Sequence, residues 1–310
     1  MSASPTMSLK NWGLLLLLSV LWGGSFFFTE IALESTPPLL LALARVSIAA
    51  LALMIVLRTR GERLPTDARL WGAFAIMGAI NNAIPFSLIM WGQTGITGGL
   101  AAILNASTPI WSVILAHFLV RGEGLTWLRG IGVALGFTGV AVMMGPEALR
   151  GLGGAALAQG AVVLATLSYA CSGIFGRRFS AISPTLAATG QLTAASVLLF
   201  PFAVASAGHA APDLPAIGAI LGLALASTAL AYILYFRILR EAGPTNVLLV
   251  TLLVPVSAIL LGALFLGERL ASGELIGMAC IAAGLLAIDG RLPARLFGRA
   301  DRNGRTGPPA

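Results

Sequence analysis

Charge is scarce in this 310-residue chain. Asp, Glu, Lys and Arg make up 10% of it, against about 25% in soluble domains. So small a share cannot solvate a globule of this length, and most of the surface must face lipid. Histidine and cysteine occur only twice each. His117 and His209 sit at unrelated positions and form no acid–base or metal constellation. Cys171 and Cys280 lie inside apolar segments and read as small packing residues, not as a disulfide or a metal pair. No Walker segment or other nucleotide-binding loop is present, so a gradient of solute or of protons must supply the driving force. The ring of charges or the filter-like loop of a channel is missing too. No metal or cofactor is expected. The formal charge of +7 does not point to nucleic acid, because the basic residues occupy short gaps between apolar runs.

Hydrophobic residues are abundant instead: they form 57% of the chain, and the mean hydropathy is +0.92. Almost any window of about 20 residues could cross a hydrocarbon core of about 30 Å. The first apolar run, from Trp12 to about Leu33, is too long for a signal-peptide core of about 7–15 residues, so it should stay as the first span. Apolar runs bounded by charge, Pro and Gly predict ten helices, at 11–33, 38–57, 69–91, 97–119, 126–144, 154–175, 184–205, 215–236, 244–266 and 272–289. The tail 291–310 is polar, Arg-rich and of disordered composition.

The chain also repeats itself. An offset of 147 positions aligns Trp22 with Tyr169, Ser25 with Ser172, Phe28 with Phe175, Pro37 with Pro184 and Leu39 with Leu186. With small gaps, Pro109 then meets Pro255, Glu123 meets Glu268, Gly132 meets Gly277 and Gly139 meets Gly284. Such internal symmetry in an apolar chain marks secondary transporters. The units are 1–150 and 151–290, with five spans each. Basic residues orient them. With the N-terminus in the cytoplasm, 16 of the 19 Lys and Arg fall on inner segments, only Arg150 and Arg269 fall outside, and Arg45 lies within a span. One helix more or fewer would spoil that split. Because five is odd, the second unit starts from the opposite side, so the repeats are inverted, both termini are cytoplasmic, and the halves can rock about a central cavity.

With these residues laid out, the chain resembles the drug/metabolite transporter superfamily and, within it, the EamA-type family of two five-helix repeats. The matching features are LWGGSFFF at 21–28, Pro37 followed by Arg45, and Pro109…Glu123-Gly-Leu-Thr…Gly132…Gly139. The second copy of that last pattern runs Pro255…Leu-Gly-Glu-Arg-Leu (266–270)…Gly277…Gly284. Each motif is weak alone, but two copies in order are specific. The overall likeness is to exporters of aromatic and other neutral amino acids of the YddG type. The resemblance implies a bacterial inner-membrane protein with a central cavity formed by helices 1, 3, 4, 6, 8 and 9. The expected partners are a small-molecule substrate and the lipid bilayer, and the chain should function as a monomer.

Several residues could carry the transport chemistry. Pro109 and Pro255 fall near the middle of spans four and nine, and Pro85 lies in span three. A mid-helix proline frees the carbonyl four residues back, which in lipid must be met by protein or by cavity water. The prolines are therefore either hinges lining the site or static kinks shaping the bundle. Ser25, Asn81, Asn82, Asn105, Thr108, Ser172, Ser227, Thr228 and Thr251 are polar groups deep in apolar helices. The hydroxyls can back-bond within their own helix. An amide has four hydrogen-bonding positions to satisfy, so the three asparagines are the stronger cavity candidates. Trp22, Phe86, Trp111, Tyr169 and Tyr232 interleave with them, and aromatic walls with a few polar groups suit a small amphipathic solute. Trp12, Trp71, Trp91 and Trp127 sit near span ends and read as interfacial.

Charges at membrane depth are functional candidates by default. Glu30 and Arg45 lie at similar depth near the outer ends of spans one and two, and are expected to pair, as a gate, a proton-linked switch or a structural ion pair. Gly130, Gly132, Gly136 and Gly139 mimic part of a dinucleotide loop, but no strand precedes them, so they read as close helix packing. Glu123 and Glu268 fit N-terminal dipole partners of the last helix in each unit. The leading reading is a secondary transporter exporting neutral or aromatic amino acids. The alternatives are an exporter of other metabolites or drugs, an intramembrane enzyme, which would need convergent catalytic groups, and a passive channel, which would not saturate.

Overall fold

The computed structural model describes residues 8–119, 127–149, 154–208, 211–242, 247 and 250–289. The expected tail 291–310, Glu123 and His209 lie outside them. Among the described residues the structure is helical, without a strand. The helices are α1 (Leu9–Leu33), α2 (Pro38–Thr59), α3 (Ala68–Gly78), α4 (Ile84–Gly92), α5 (Gly98–Asn105), α6 (Thr108–Leu119) and α7 (Trp127–Leu149), followed by α8 (Gly154–Phe175), α9 (Pro184–Ser206), α10 (Leu214–Leu221), α11 (Ala231–Ala242), α12 (Val250–Leu261) and α13 (Ser272–Asp289).

Among the described residues, seven segments are long and apolar enough to cross a membrane: Leu9–Leu33, Pro38–Thr59, Ala68–Gly92, Gly98–Leu119, Ala155–Phe179, Pro184–Ser206 and Leu214–Ala242. Three shorter apolar helices cover Gly130–Val142, Leu253–Leu266 and Leu275–Ala287. The side chains obey the bilayer logic. Leu17, Leu51, Ile55, Val197, Phe200 and Phe202 are exposed, whereas polar groups turn inward. Helix starts are capped locally: Ser8, Thr97, Ser183 and Asp213 each accept a backbone N–H three residues on, satisfying donors that lipid cannot.

Two of the spans are interrupted by π-helix at equivalent places. Ala79–Ala83 joins α3 to α4, and Gly222–Leu230 joins α10 to α11. A π-bulge inserts an extra residue and redirects the side chains beside it. In the first, adjacent Asn81 and Asn82 both reach Tyr232. In the second, Thr228 bonds back to the carbonyl of Leu223, five residues earlier. Pro85 follows the first bulge, and the hydroxyl of Ser168 on α8 donates to the Ile80 carbonyl at 2.6 Å.

The two prolines of the repeat behave differently. Pro109 coincides with a true break between α5 and α6, and the Asn105 carbonyl it frees is met by Thr108 Oγ1 at 2.8 Å. Pro255 lies inside α12, which continues past it.

Helices from the two halves interleave. α1 packs against α12, α10 and α11, α2 against α9, α4 against α8, and α7 against α13. Glycine permits the closest approaches. A Cβ on Gly139 would lie 2.6 Å from the Gly277 carbonyl oxygen, and one on Gly284 would lie 2.6 Å from that of Gly132. The two contacts join Gly139 to Gly277 and Gly284 to Gly132, crosswise between the two aligned pairs of the repeat. Gly23 meets Ser257 and Ala258 of α12 in the same close manner, next to a hydrogen bond of 3.1 Å between Ser19 and Ser257. Both hydrophobic cores draw on both halves of the chain.

Candidate substrate site

The inward-facing polar groups converge where α2, α4, α8, α9 and the second π-bulge meet. Asn81 is the hub. Its Nδ2 donates to Gln191 Oε1 and to Tyr232 Oη, both at 3.1 Å, and its Oδ1 accepts from Ser172 Oγ at 2.8 Å. Asn82 Nδ2 donates to the same tyrosine oxygen at 3.3 Å. Tyr232 stacks on Phe236, which meets Tyr235 edge-on, and Tyr235 lies 5.5 Å from the ring of Trp22. A polar patch thus passes continuously into an aromatic wall.

Arg45 enters this cluster from α2. It is buried; its Nε donates to Thr228 Oγ1 at 2.9 Å, and its guanidinium lies 3.8 Å from the centroid of the Phe86 ring. Tyr169 and Tyr232 are its neighbours. Among the described residues no carboxylate lies on it. Placing Arg at membrane depth costs roughly 2.5–3.5 kcal/mol on insertion scales. A desolvated cation–π contact offsets about 2 kcal/mol and one hydrogen bond from a charged group about 1.5–3 kcal/mol. The site therefore holds the cation without neutralising it. Asn82 Oδ1 there is buried with no partner among the described residues, and so is Ser227 Oγ, one residue before Thr228 in the chain.

The expected Glu30–Arg45 pair does not form. Arg45 turns toward Thr228 and Phe86, while Glu30 Oε2 accepts the Gly98 N–H at 2.8 Å. Equal depth on neighbouring helices does not put two side chains on facing sides. Glu268 was expected at the start of the last helix, but its carboxylate instead accepts the N–H groups of Gly98 and Gly99, at 2.9 and 3.1 Å, at the start of α5.

Of the other sequence candidates, Trp22, Phe86, Tyr169, Ser172 and Tyr232 join or border the cluster with Asn81 and Asn82. Ser25 back-bonds to the Trp22 carbonyl at 2.6 Å. Trp111 stands apart, edge-on to Phe137 at 5.0 Å, in a shallow crevice between α6, α7 and α8. Asn105 ends α5 with its Oδ1 unpartnered, and Thr251 lies half-buried on α12. Gln191 and Tyr235 were missed by the sequence reading. An amide in the middle of apolar α9 carried the same signal as Asn81. Tyr235 carried none, since interior and interfacial aromatics look alike in one dimension.

A bundle of apolar spans that share a buried polar and aromatic cluster, with a buried cation beside it, fits a multi-pass membrane transporter. The profile of the EamA-like transporter family matches residues 11–145 and 157–288, once on each half, and the chain belongs to that family. It is 27% identical over 278 residues to the inner membrane transporter YedA of Escherichia coli K12, which covers 88% of each chain. It is 29% identical to protein PecM of Dickeya dadantii, across 86% of this chain and 88% of that one. It is 31% identical to a probable amino-acid metabolite efflux pump of Salmonella typhimurium, across 90% and 94%. One solved crystal structure aligns with 94% of this chain and 100% of its own at a TM-score of 0.65 and 19% identity, a likeness of fold alone.

Proposed function

We propose that the chain is an alternating-access secondary transporter of a bacterial inner membrane that exports small neutral or aromatic amino acids, or metabolites built like them. In this reading it has ten spans in two inverted repeats, with both termini cytoplasmic, and it performs no chemistry on its cargo. The observation that carries the substrate class is Arg45: a buried guanidinium with no acidic partner, beside an amide–hydroxyl network and an aromatic wall. The solute carboxylate would meet Arg45, its ammonium would meet the unpartnered oxygens of Asn82 and Ser227, and its side chain would lie against Tyr232, Phe86 and Trp22. The efflux pump among the relatives supports the same class. The reciprocal contact of α7 and α13 supports inverted halves that share one axis.

Proteoliposome counterflow with labelled Trp, Phe, Met and Thr tests the reading. Saturable exchange of intact amino acid is expected, with competition by tryptophan and little by tryptamine, which lacks the carboxylate. Failure of all four to exchange overturns the amino-acid assignment and leaves the carrier family to be searched with other metabolites.

A further inference from the structure

Glu30 and Glu268 come from opposite halves of the chain and meet at the N-terminus of α5. Both accept the same Gly98 N–H, at 2.8 and 2.9 Å, so the two carboxyl groups lie side by side on one donor. Glu268 also takes the Gly99 N–H. The place is built for them. A Cβ on Gly98 would lie 2.9 Å from Glu30 Oε2, one on Gly99 would lie 2.9 Å from Glu268 Oε2, and one on Gly262 would overlap the Glu268 carboxylate. Gln93 faces the pair as well. Its side chain is buried, its Nε2 donates to the Phe26 carbonyl at 2.9 Å and lies 3.2 Å from the same Cβ position on Gly98, and its Oε1 has no partner.

Two carboxylates on one donor repel, and a single proton between them turns repulsion into a hydrogen bond. A metal cation fits poorly, because backbone N–H groups and the positive end of α5 point at the same oxygens. We propose that Glu30 and Glu268 share one proton and act as a proton-operated latch, clasping α1 and the segment after α12 onto the start of α5. With the proton bound, the two halves are joined here. When it leaves to water, both carboxylates are charged, Gly98 can hold only one of them, and the halves part. Gln93 Oε1 is the spare acceptor toward which the acidic O–H can turn during opening. Other ionisable groups at this end include Glu34, one turn further along the chain from Glu30, Asp213, bonded to Ser35, Arg269, next to Glu268, and Glu274 in the first turn of α13. The sequences of α5, α10, α12 and the 93–97 loop contain none. On the orientation proposed above this is the outer mouth, so protons outside would hold it shut.

The test needs no solute and stands apart from the substrate assignment. Spin labels on Thr94→Cys and Ser272→Cys, with Cys171→Ser and Cys280→Ser, report the separation of the two segments in nanodiscs between pH 5 and pH 9. The open fraction should rise with pH by up to about tenfold per unit, the limit for one proton. Glu30→Gln and Glu268→Gln should each stay closed and lose the pH response, since an amide donates where the shared proton did. Glu34→Gln should keep the response. A pH-independent distance in the parent, or a response that survives in the glutamine variants, overturns the latch. If one glutamine variant fails to fold, as judged by melting, the other decides.

Discussion

Arg45 is the residue on which the substrate reading turns. Its charge is retained in the bundle by Thr228 and the Phe86 ring, and neither removes it. Arg45→Gln should therefore cut transport of carboxylate-bearing solutes by about tenfold or more, the equivalent of one charge-assisted contact, while the protein still inserts and melts near the parent temperature. Counterflow and thermal melting measured on the same preparation separate the two effects. Loss of folding with selectivity unchanged would make Arg45 a structural residue instead. Phe86→Leu should weaken the same solutes by a few-fold, in line with a contact of about 1 kcal/mol. Asn81 has the opposite character. Its side-chain bonds run to Gln191, Tyr232 and Ser172 of the second half, so Asn81→Ala unpairs all three together. It should cost about 1–3 kcal/mol of stability as well as transport, and melting again gives the readout.

At the scale of elements, glycine decides which helices can touch. Gly139 and Gly284 let α7 and α13 approach until backbone meets backbone. Gly139→Ala and Gly284→Ala must each push the pair apart, at about 1–3 kcal/mol for overpacking, visible as a lower melting temperature in detergent. Gly160→Ala and Gly218→Ala, which meet nothing within 4 Å, should change little and serve as controls. The π-bulges are the second element-scale device. They turn Asn81 and Asn82 toward a common partner and set Thr228 under Arg45. Helical periodicity alone would send adjacent asparagines to different faces, so their shared contact with Tyr232 was not legible in the sequence.

For the whole molecule, the sixteen-to-two division of basic residues makes a topological prediction. A fluorescent protein fused after Ala310 should fluoresce, and alkaline phosphatase at the same point should be inactive. An active phosphatase there would put the C-terminus outside and overturn the proposed orientation. The contacts carry a mechanical consequence too. No helix pair named above as a main contact lies within one half, so the halves do not fold as separate lobes. Under the alternating access proposed above, rearrangement would run across the α1–α12 and α4–α8 contacts.

Composition and repetition determined the solvent, the helical class and the family, since each is read from local runs or from aligned positions of one chain: a hydrophobic run must span, and Gly139 matches Gly284 whatever the packing. That Asn82 and Arg45 would be buried polar positions within apolar helices was legible for the same reason. Direction was not. Rotation about a helix axis is set by neighbours from the other half, by π-bulges that no periodicity announces and by glycines that draw backbones together. Only the tertiary structure therefore sent Arg45 to Thr228 and not to Glu30, set Trp111 against Phe137, and carried Glu268 across the molecule to meet Glu30 at the first turn of α5.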